Sequence, residues 1–218
     1  MTTHFGCILL GAPGSGKGTQ AKVLSDDLRI PHVSTGDILR SEVQSESQLG
    51  IRVKEIMSSG QLVSDALICE IVAKRFYKPD LLKGYILDGF PRTVAQADAL
   101  ETILIERGLP QPKVILLNVG NSILIERLTG RLTCSQCGRA FHKTLNPPKA
   151  VGKCDACDGE LVQRKDDSLK TVKKRLEVYE DETKPLIDFY SQKGHLSSLS
   201  GDQEMFKITT GIRKVLGA

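Results

Sequence analysis

Gly11-Ala12-Pro13-Gly14-Ser15-Gly16-Lys17-Gly18-Thr19 joins an apolar run, Cys7-Ile8-Leu9-Leu10, to a stretch of helical composition, Gln20-Ala21-Lys22-Val23-Leu24. Strand, glycine-rich loop and helix in that order are the setting in which backbone N–H groups and a helix N-terminus hold a phosphate. The glycines permit positive φ and let a polyanion approach the backbone, while Lys17 adds a mobile positive charge. The general phosphate-loop pattern, G-x-x-x-x-G-K-S/T, places a hydroxyl directly after the lysine. Here Gly18 intervenes and the hydroxyl comes at Thr19, which argues against direct Mg²⁺ ligation by the loop. A plain glycine-rich turn is the alternative, and Lys17 with its two flanking elements weighs against it.

Outward from the loop, apolar Ala21, Val23, Leu24 and Leu28 continue a helix from about Gly16 to Leu28. Ile30, His32 and Val33 form a short second strand broken by Pro31, and Ser34-Thr35-Gly36-Asp37 offers a cap for the next helix. From Ile38 to Lys78 the pattern is helical in pieces, with Gly50 and Gly60 as punctuation and Ser64-Asp65 as a cap for a helix over Ala66 to Tyr77. Tyr85-Ile86-Leu87 is a third buried strand and ends at Asp88-Gly89-Phe90-Pro91-Arg92-Thr93. In an open parallel sheet ligands bind at the strands' carboxyl ends, so Asp88 falls beside the loop if the two strands are neighbours. There it can hold Mg²⁺ directly or through water; the alternative is a helix cap, a task Thr93 can also perform. An amphipathic helix over Thr93 to Arg107, a fourth strand at Val114 to Leu117 and a helix near Ser122 to Thr129 complete an alternating pattern, which predicts an α/β, doubly wound parallel sheet. Leu169 to Gln192 is helical with a break at Pro185, His195 to Leu199 is placed as a fifth strand despite its poor composition, and Thr209 to Leu216 closes the chain as a helix.

Between Thr129 and Ser168 the periodicity stops for longer than a plain loop needs. This segment holds Cys134-x-x-Cys137 and Cys154-x-x-Cys157 with 16 residues between the pairs, the spacing at which two knuckles share one tetrahedral Zn²⁺. Its large apolar residues, Leu132, Phe141, Leu145, Val151, Leu161 and Val162, are too few for an independent core, so a structural Zn²⁺ fits the need for a staple. Paired disulfides and a redox Cys-x-x-Cys are the alternatives. His142 stands near, but four cysteines already fill a tetrahedron. Cys7 and Cys69 lie in apolar contexts and are expected in the core.

The 218 residues suit one main domain with small insertions. No apolar run approaches the roughly 20 residues of a membrane helix, and nothing suggests a secretory signal, so a cytoplasmic protein without a membrane partner is expected. A net charge of +4, 5% aromatics and no tryptophan do not describe a basic, aromatic-laced nucleic-acid surface. A zinc-ribbon module fused to an NTPase would require one. Arginines instead recur where phosphate chemistry needs planar, permanently charged forks: Arg40, Arg92, Arg127, Arg131, Arg164 and Arg175. Residues alone thus reach a phosphate-loop phosphotransferase or NTPase. For Arg164 and Arg175, set among Lys165, Asp166, Asp167, Lys173 and Lys174, an ordinary solvated face fits as well.

Six stretches carry the reading further. The Gly11 to Thr19 loop, Ser34-Thr35-Gly36-Asp37-Ile38-Leu39-Arg40, Gly60-Gln61-Leu62-Val63, Asp88-Gly89-Phe90-Pro91-Arg92-Thr93, Asn146-Pro147-Pro148 and Arg164-Lys165-Asp166-Asp167 occur in one order along the chain. In that order and spacing the sequence resembles the adenylate kinase family, in its long form with a zinc-bearing lid. The resemblance implies a core over 1–33, 64–130 and 168–218, a helical AMP-binding insertion over 34–63, and a lid over 131–167. It implies transfer of the γ-phosphoryl group of MgATP to AMP, giving two ADP, by a monomeric enzyme. Gly14, Ser15, Gly16, Lys17, Gly18, Thr19, Arg127, Arg131, Phe141 and His142 would bind ATP. Thr35, Gly36, Arg40, Gln61, Leu62, Val63, Gly89, Arg92, Gln96, Arg164 and Arg175 would bind AMP, with Thr35 and Gln96 selecting adenine. Lys17, Arg92, Arg127, Arg131, Arg164 and Arg175 would act on the group in flight, Asp88 would fix Mg²⁺ through water, and Cys134, Cys137, Cys154 and Cys157 would hold Zn²⁺. Leu132 stands where many relatives carry a basic residue, and Leu145 where an aromatic usually precedes Asn146. A GTP:AMP phosphotransferase shares most of these motifs and is the competing expectation.

Overall fold

The computed structural model of the chain describes residues 5–218. In chain order these form β1 (Gly6–Leu10), α1 (Lys17–Leu28), β2 (His32–Ser34), α2 (Thr35–Gln44), α3 (Gln48–Ser59), α4 (Asp65–Phe76), β3 (Tyr85–Asp88), α5 (Val94–Glu106), β4 (Lys113–Asn118) and α6 (Asn121–Thr129). They continue as β5 (Arg131–Cys134), β6 (Ala140–His142), β7 (Leu161–Val162), α7 (Leu169–Val178), α8 (Pro185–Gln192), β8 (Leu196–Ser200) and α9 (Met205–Leu216).

Five strands form one parallel sheet in the order β2-β3-β1-β4-β8. The chain leaves the central β1 toward β2 and β3 on one side and later builds β4 and β8 on the other, so the loop after β1 lies at the switch in direction, where such sheets bind ligands. Alternation along each strand separates two cores. Ile8, Leu10, Leu87, Val114 and Leu116 face a cluster with Val72, Phe76, Leu100, Leu104 and Leu186, whereas Cys7, Leu9, Ile86, Ile115 and Leu117 face Ala21, Leu24, Ile208 and Ile212. A third cluster, Ala12, Leu124, Leu128, Val172 and Leu176, ties α6 and α7 to the root of the loop. The expected fifth strand is β8, and its position explains its weak composition. It lies at the sheet's edge, paired only with β4 from Val114↔Leu196 to Asn118↔Ser200, and is only partly buried.

Several local expectations shift. Gly60 does end α3, in a left-handed conformation (φ 81°). Gly50 is no break: it lies inside the first turn of α3, where the carbonyl of Glu42 at the end of α2 passes so close that a Cβ would fall 2.0 Å from its oxygen. Ser64 makes no side-chain cap to α4. The break expected at Pro185 comes earlier, as a wide π-type turn over Tyr179–Thr183, and Pro185 opens α8, where its missing N–H removes no helical bond. The closing helix begins at Met205, four residues before the apolar periodicity does, because its first turn is exposed.

The segment from Arg131 forms a separate antiparallel sheet, β6-β5-β7, registered at Leu132↔Phe141 and Cys134↔Leu161. Its core is Cys134, Phe141, Cys154 and Leu161, with Leu132 partly buried against them. Leu145, Val151 and Val162 are exposed, so apolar burial there is smaller still than the sequence suggests. No helix among the described residues is long and apolar enough to cross a membrane.

Candidate active site

Gly16 takes the N-cap position of α1 with φ 97°, and no side chain caps that helix. The first N–H groups of α1 are therefore left to a ligand, and a helix N-terminus favours an anion. Lys17 folds back onto the loop, donating from Nζ to the carbonyls of Gly11 (2.6 Å) and Ala12 (2.8 Å) and to Ser15 Oγ (3.3 Å). Burial pushes its ammonium down to about 8; Asp88 opposes this, and Arg92, Arg175 and Arg131 add to it. Gly18 and Thr19 are exposed beside it.

Asp88 ends β3 opposite Leu9 of β1, as the adjacency argument requires. A Cβ on Gly18 would stand 3.1 Å from Asp88 Oδ2, so the carboxylate borders the loop. Burial alone would raise its pKa, but His32, whose Nε2 lies 3.6 Å away, and Lys17 outweigh it and hold the group below the usual carboxylate range. The capping alternative falls to Thr93, whose hydroxyl accepts from Gln96 N (3.2 Å) at the start of α5. Asp88 thus offers an ionised oxygen donor at the mouth of the loop, which suits Mg²⁺.

On the other side of Asp88, the carbonyl of Gly89 accepts from Thr35 Oγ1 (2.7 Å) and from Arg92 Nε (2.8 Å). Gly89 has φ 77°, and a Cβ there would come within 3.0 Å of both partners, so this convergence needs glycine. Arg40 pairs with Asp37 and packs over Gly36. Gln96 is buried; its Oε1 accepts from Arg92 N (2.8 Å) and its Nε2 donates to Asp65 Oδ1 (2.7 Å). Gln61, Leu62 and Val63, between α3 and α4, line a cleft of about 380 Å³ together with Asp65, Thr93 and residues of α7.

The remaining arginines come from the lid and its roots. Asp167, wholly buried, accepts two bonds from Arg131 (2.8 and 2.6 Å) and one from Arg175 (3.0 Å). Arg175 also reaches Asp166 at 3.0 Å. Arg164 donates from Nε to Thr133 Oγ1 (3.0 Å), and Arg127 donates to the carbonyl of Gly201 (2.9 Å). Burial pushes Arg92 and Arg164 down to about 10, Arg175 adding to the first and Arg131 and Arg40 to the second. Cations from the Gly89 turn, the loop and the lid thus share a space where a polyanion would relieve their repulsion. The solvated-face alternative for Arg164 and Arg175 does not fit, since both are half-buried and engaged. Sequence reasoning missed Asp167 and Asp65 as organisers of the site. Acids lodged among recurring arginines were the available signal for Asp167, and for Asp65 there was none beyond a helix start.

Phe141 lies in the lid core, and His142 is committed within the protein. Its Nδ1 accepts from the N–H groups of Thr144 (3.1 Å) and Leu145 (3.0 Å), so Nε2 donates to the Glu126 carbonyl (3.1 Å). The four lid cysteines place their sulfurs within 4.8 Å of one another. Cys134 to Cys157 is 3.5 Å and Cys137 to Cys154 is 3.6 Å, too long for disulfides of about 2.05 Å. A tetrahedron of Zn–S bonds of about 2.3 Å has edges of about 3.8 Å, which this cluster fits. The N–H of Cys137 is aimed at Cys134 Sγ (3.5 Å), a donor placed to favour the thiolate that a metal binds.

A family model described as adenylate kinase matches residues 9–195. An adenylate kinase of Caldicellulosiruptor bescii is 51% identical over 210 residues, covering 96% of this chain and 98% of its own. One of Clostridium beijerinckii is 48% identical over 210 residues, covering 96% and 97%. One of Desulfitobacterium hafniense is 50% identical over 205 residues, covering 94% of each.

Proposed function

The chain belongs to the adenylate kinase family, and from that premise we propose how its residues divide the work of an ATP:AMP phosphotransferase. Gly14 to Thr19 and the start of α1 hold the donor's phosphates, with Lys17 leaving its carbonyl partners to follow the group in flight. Thr35, Gly36, Arg40, Gln61 to Val63, Gly89, Arg92 and Gln96 hold AMP. Arg127 and Arg131 reach the donor, and Arg164 and Arg175 the acceptor and the transferred group. The observation that carries this reading is that Asp88, bordering Gly18 of the loop, is followed directly by Gly89, whose carbonyl holds Thr35 and Arg92, so that donor and acceptor sides meet there. Phosphoryl transfer rests mainly on position and charge, so no general base is needed. Asp88 would hold Mg²⁺, through water, and the ion would neutralise phosphate oxygens. The lid over 131–167 carries Arg131 and Arg164 and, by covering the site, keeps water from taking the phosphoryl group. Zn²⁺ on Cys134, Cys137, Cys154 and Cys157 holds that small sheet together. The reading includes a monomer of the cytoplasm whose partners are ATP, AMP and ADP.

Steady-state assays with ATP or GTP as donor and AMP, GMP, CMP or UMP as acceptor test it. ATP with AMP should give the highest kcat/KM. GTP outperforming ATP would replace the donor, and another acceptor outperforming AMP would overturn the acceptor assignment.

A further inference from the structure

Gln96 cannot select adenine merely by being a glutamine. Its carboxamide has nearly the same shape when oxygen and nitrogen are exchanged, so a free amide turns over to suit either partner. Adenine offers an amino donor beside a ring-nitrogen acceptor, whereas a 6-oxopurine offers a carbonyl acceptor beside an N–H donor. A glutamine that discriminates between them must be prevented from turning.

We infer that Asp65 is a positioning residue that locks the Gln96 amide in one orientation and thereby sets which purine the acceptor site takes. This rests on the reading that Gln96 meets the acceptor base. Asp65 begins α4, where an aspartate ordinarily serves its own helix through the dipole or a cap. Its side chain instead crosses to α5. Oδ1 accepts from Gln96 Nε2 (2.7 Å) and Oδ2 from Thr93 Oγ1 (3.0 Å). The Thr93 hydroxyl in turn accepts from the backbone N–H of Gln96, and Gln96 Oε1 accepts from the backbone N–H of Arg92.

The chemistry of these partners leaves one solution. An ionised carboxylate only accepts, and a backbone N–H only donates, so Nε2 must face Asp65 and Oε1 must face Arg92. Turning the amide over would set its oxygen against the carboxylate and its NH₂ against an N–H. Each end keeps one free capacity, a second N–H on Nε2 and a second lone pair on Oε1. That pair complements adenine's acceptor and donor and mismatches a 6-oxopurine. Asp65 and Thr93 both line the cleft beside Gln61, Leu62 and Val63, so the lock borders the space assigned to the acceptor.

The test compares AMP with inosine monophosphate, which differs at the 6-position and its neighbouring nitrogen, in the full-length enzyme with MgATP. The readout is the ratio of kcat/KM for the two acceptors. Asp65→Leu should raise the IMP-to-AMP ratio at least about tenfold, the scale of one bidentate base contact, with most of the change in KM. Asp65→Asn, nearly isosteric but able to turn over together with Gln96, should raise it less. A purely structural role would weaken both acceptors alike and leave the ratio unchanged. If Gln96→Leu lowers discrimination while both Asp65 variants keep the wild-type ratio and wild-type unfolding midpoints, the lock is refuted. If Gln96→Leu also leaves the ratio unchanged, the premise that Gln96 meets the base fails, and the lock falls with it.

Discussion

Lys17 shows how a residue recognisable by type acquires its working properties from neighbours. Its charge is solvated by two carbonyls and Ser15 in the free protein, yet burial and three arginines lower its pKa to about 8. A bound polyphosphate favours the charged form, so binding should raise that pKa and take up a proton. The sign follows: donor affinity should fall as pH rises through about 8. Titration calorimetry with an unreactive ATP analogue at pH 8.5, in buffers of different ionisation heat, should show net proton uptake that disappears in Lys17→Met. Proton release, or none, would contradict the assigned contact. Asp88 was equally legible, as an acid ending a buried strand. Asp167 was not, because nothing in a run of charged residues marks the one that turns inward to hold Arg131 and Arg175.

At the level of elements, glycine is the instructive case. Gly60 and Gly50 look alike in the chain, yet one ends α3 through its positive φ and the other lets α2 and α3 touch. Gly50→Ala should push the Glu42 carbonyl away and destabilise the protein by about 1–3 kcal/mol. The denaturation midpoint should fall, and KM for AMP should rise more than KM for ATP because α2 carries Thr35, Gly36 and Arg40, which are proposed to hold the acceptor. An unchanged midpoint would mean that the two helices separate without cost. The elements themselves followed from periodicity and caps, with Ser34 and Thr93 capping α2 and α5 as their sequence contexts indicate. What periodicity could not locate was an element whose neighbours compensate for its composition, such as β8.

For the whole molecule, the lid is the part whose stability is least its own. Only Phe141 and Leu161, with two cysteines, are buried in its core. Metal analysis should find about one zinc per chain. Chelation should lower the melting temperature and reduce ATP turnover, with re-addition of zinc restoring both. A metal-free protein that melts at the same temperature would refute the zinc site. Lid and core are also joined by polar contacts, Arg131 and Arg175 meeting at Asp167, so loss of the metal should disturb the arginines as well as the small sheet.

Sequence alone determined the features set by local chemistry: the phosphate loop, the alternation of strand and helix, the two cysteine knuckles and the kinds of residue gathered for phosphate. These depend on backbone freedom, periodicity and spacing, which act over a few residues. Tertiary structure decided which of many charged groups work together. Asp88 beside Gly18, Asp167 between Arg131 and Arg175, and Asp65 on Gln96 are contacts between elements distant in the chain. Their energies arise only when folding removes water from both partners, and one-dimensional spacing carries no record of that.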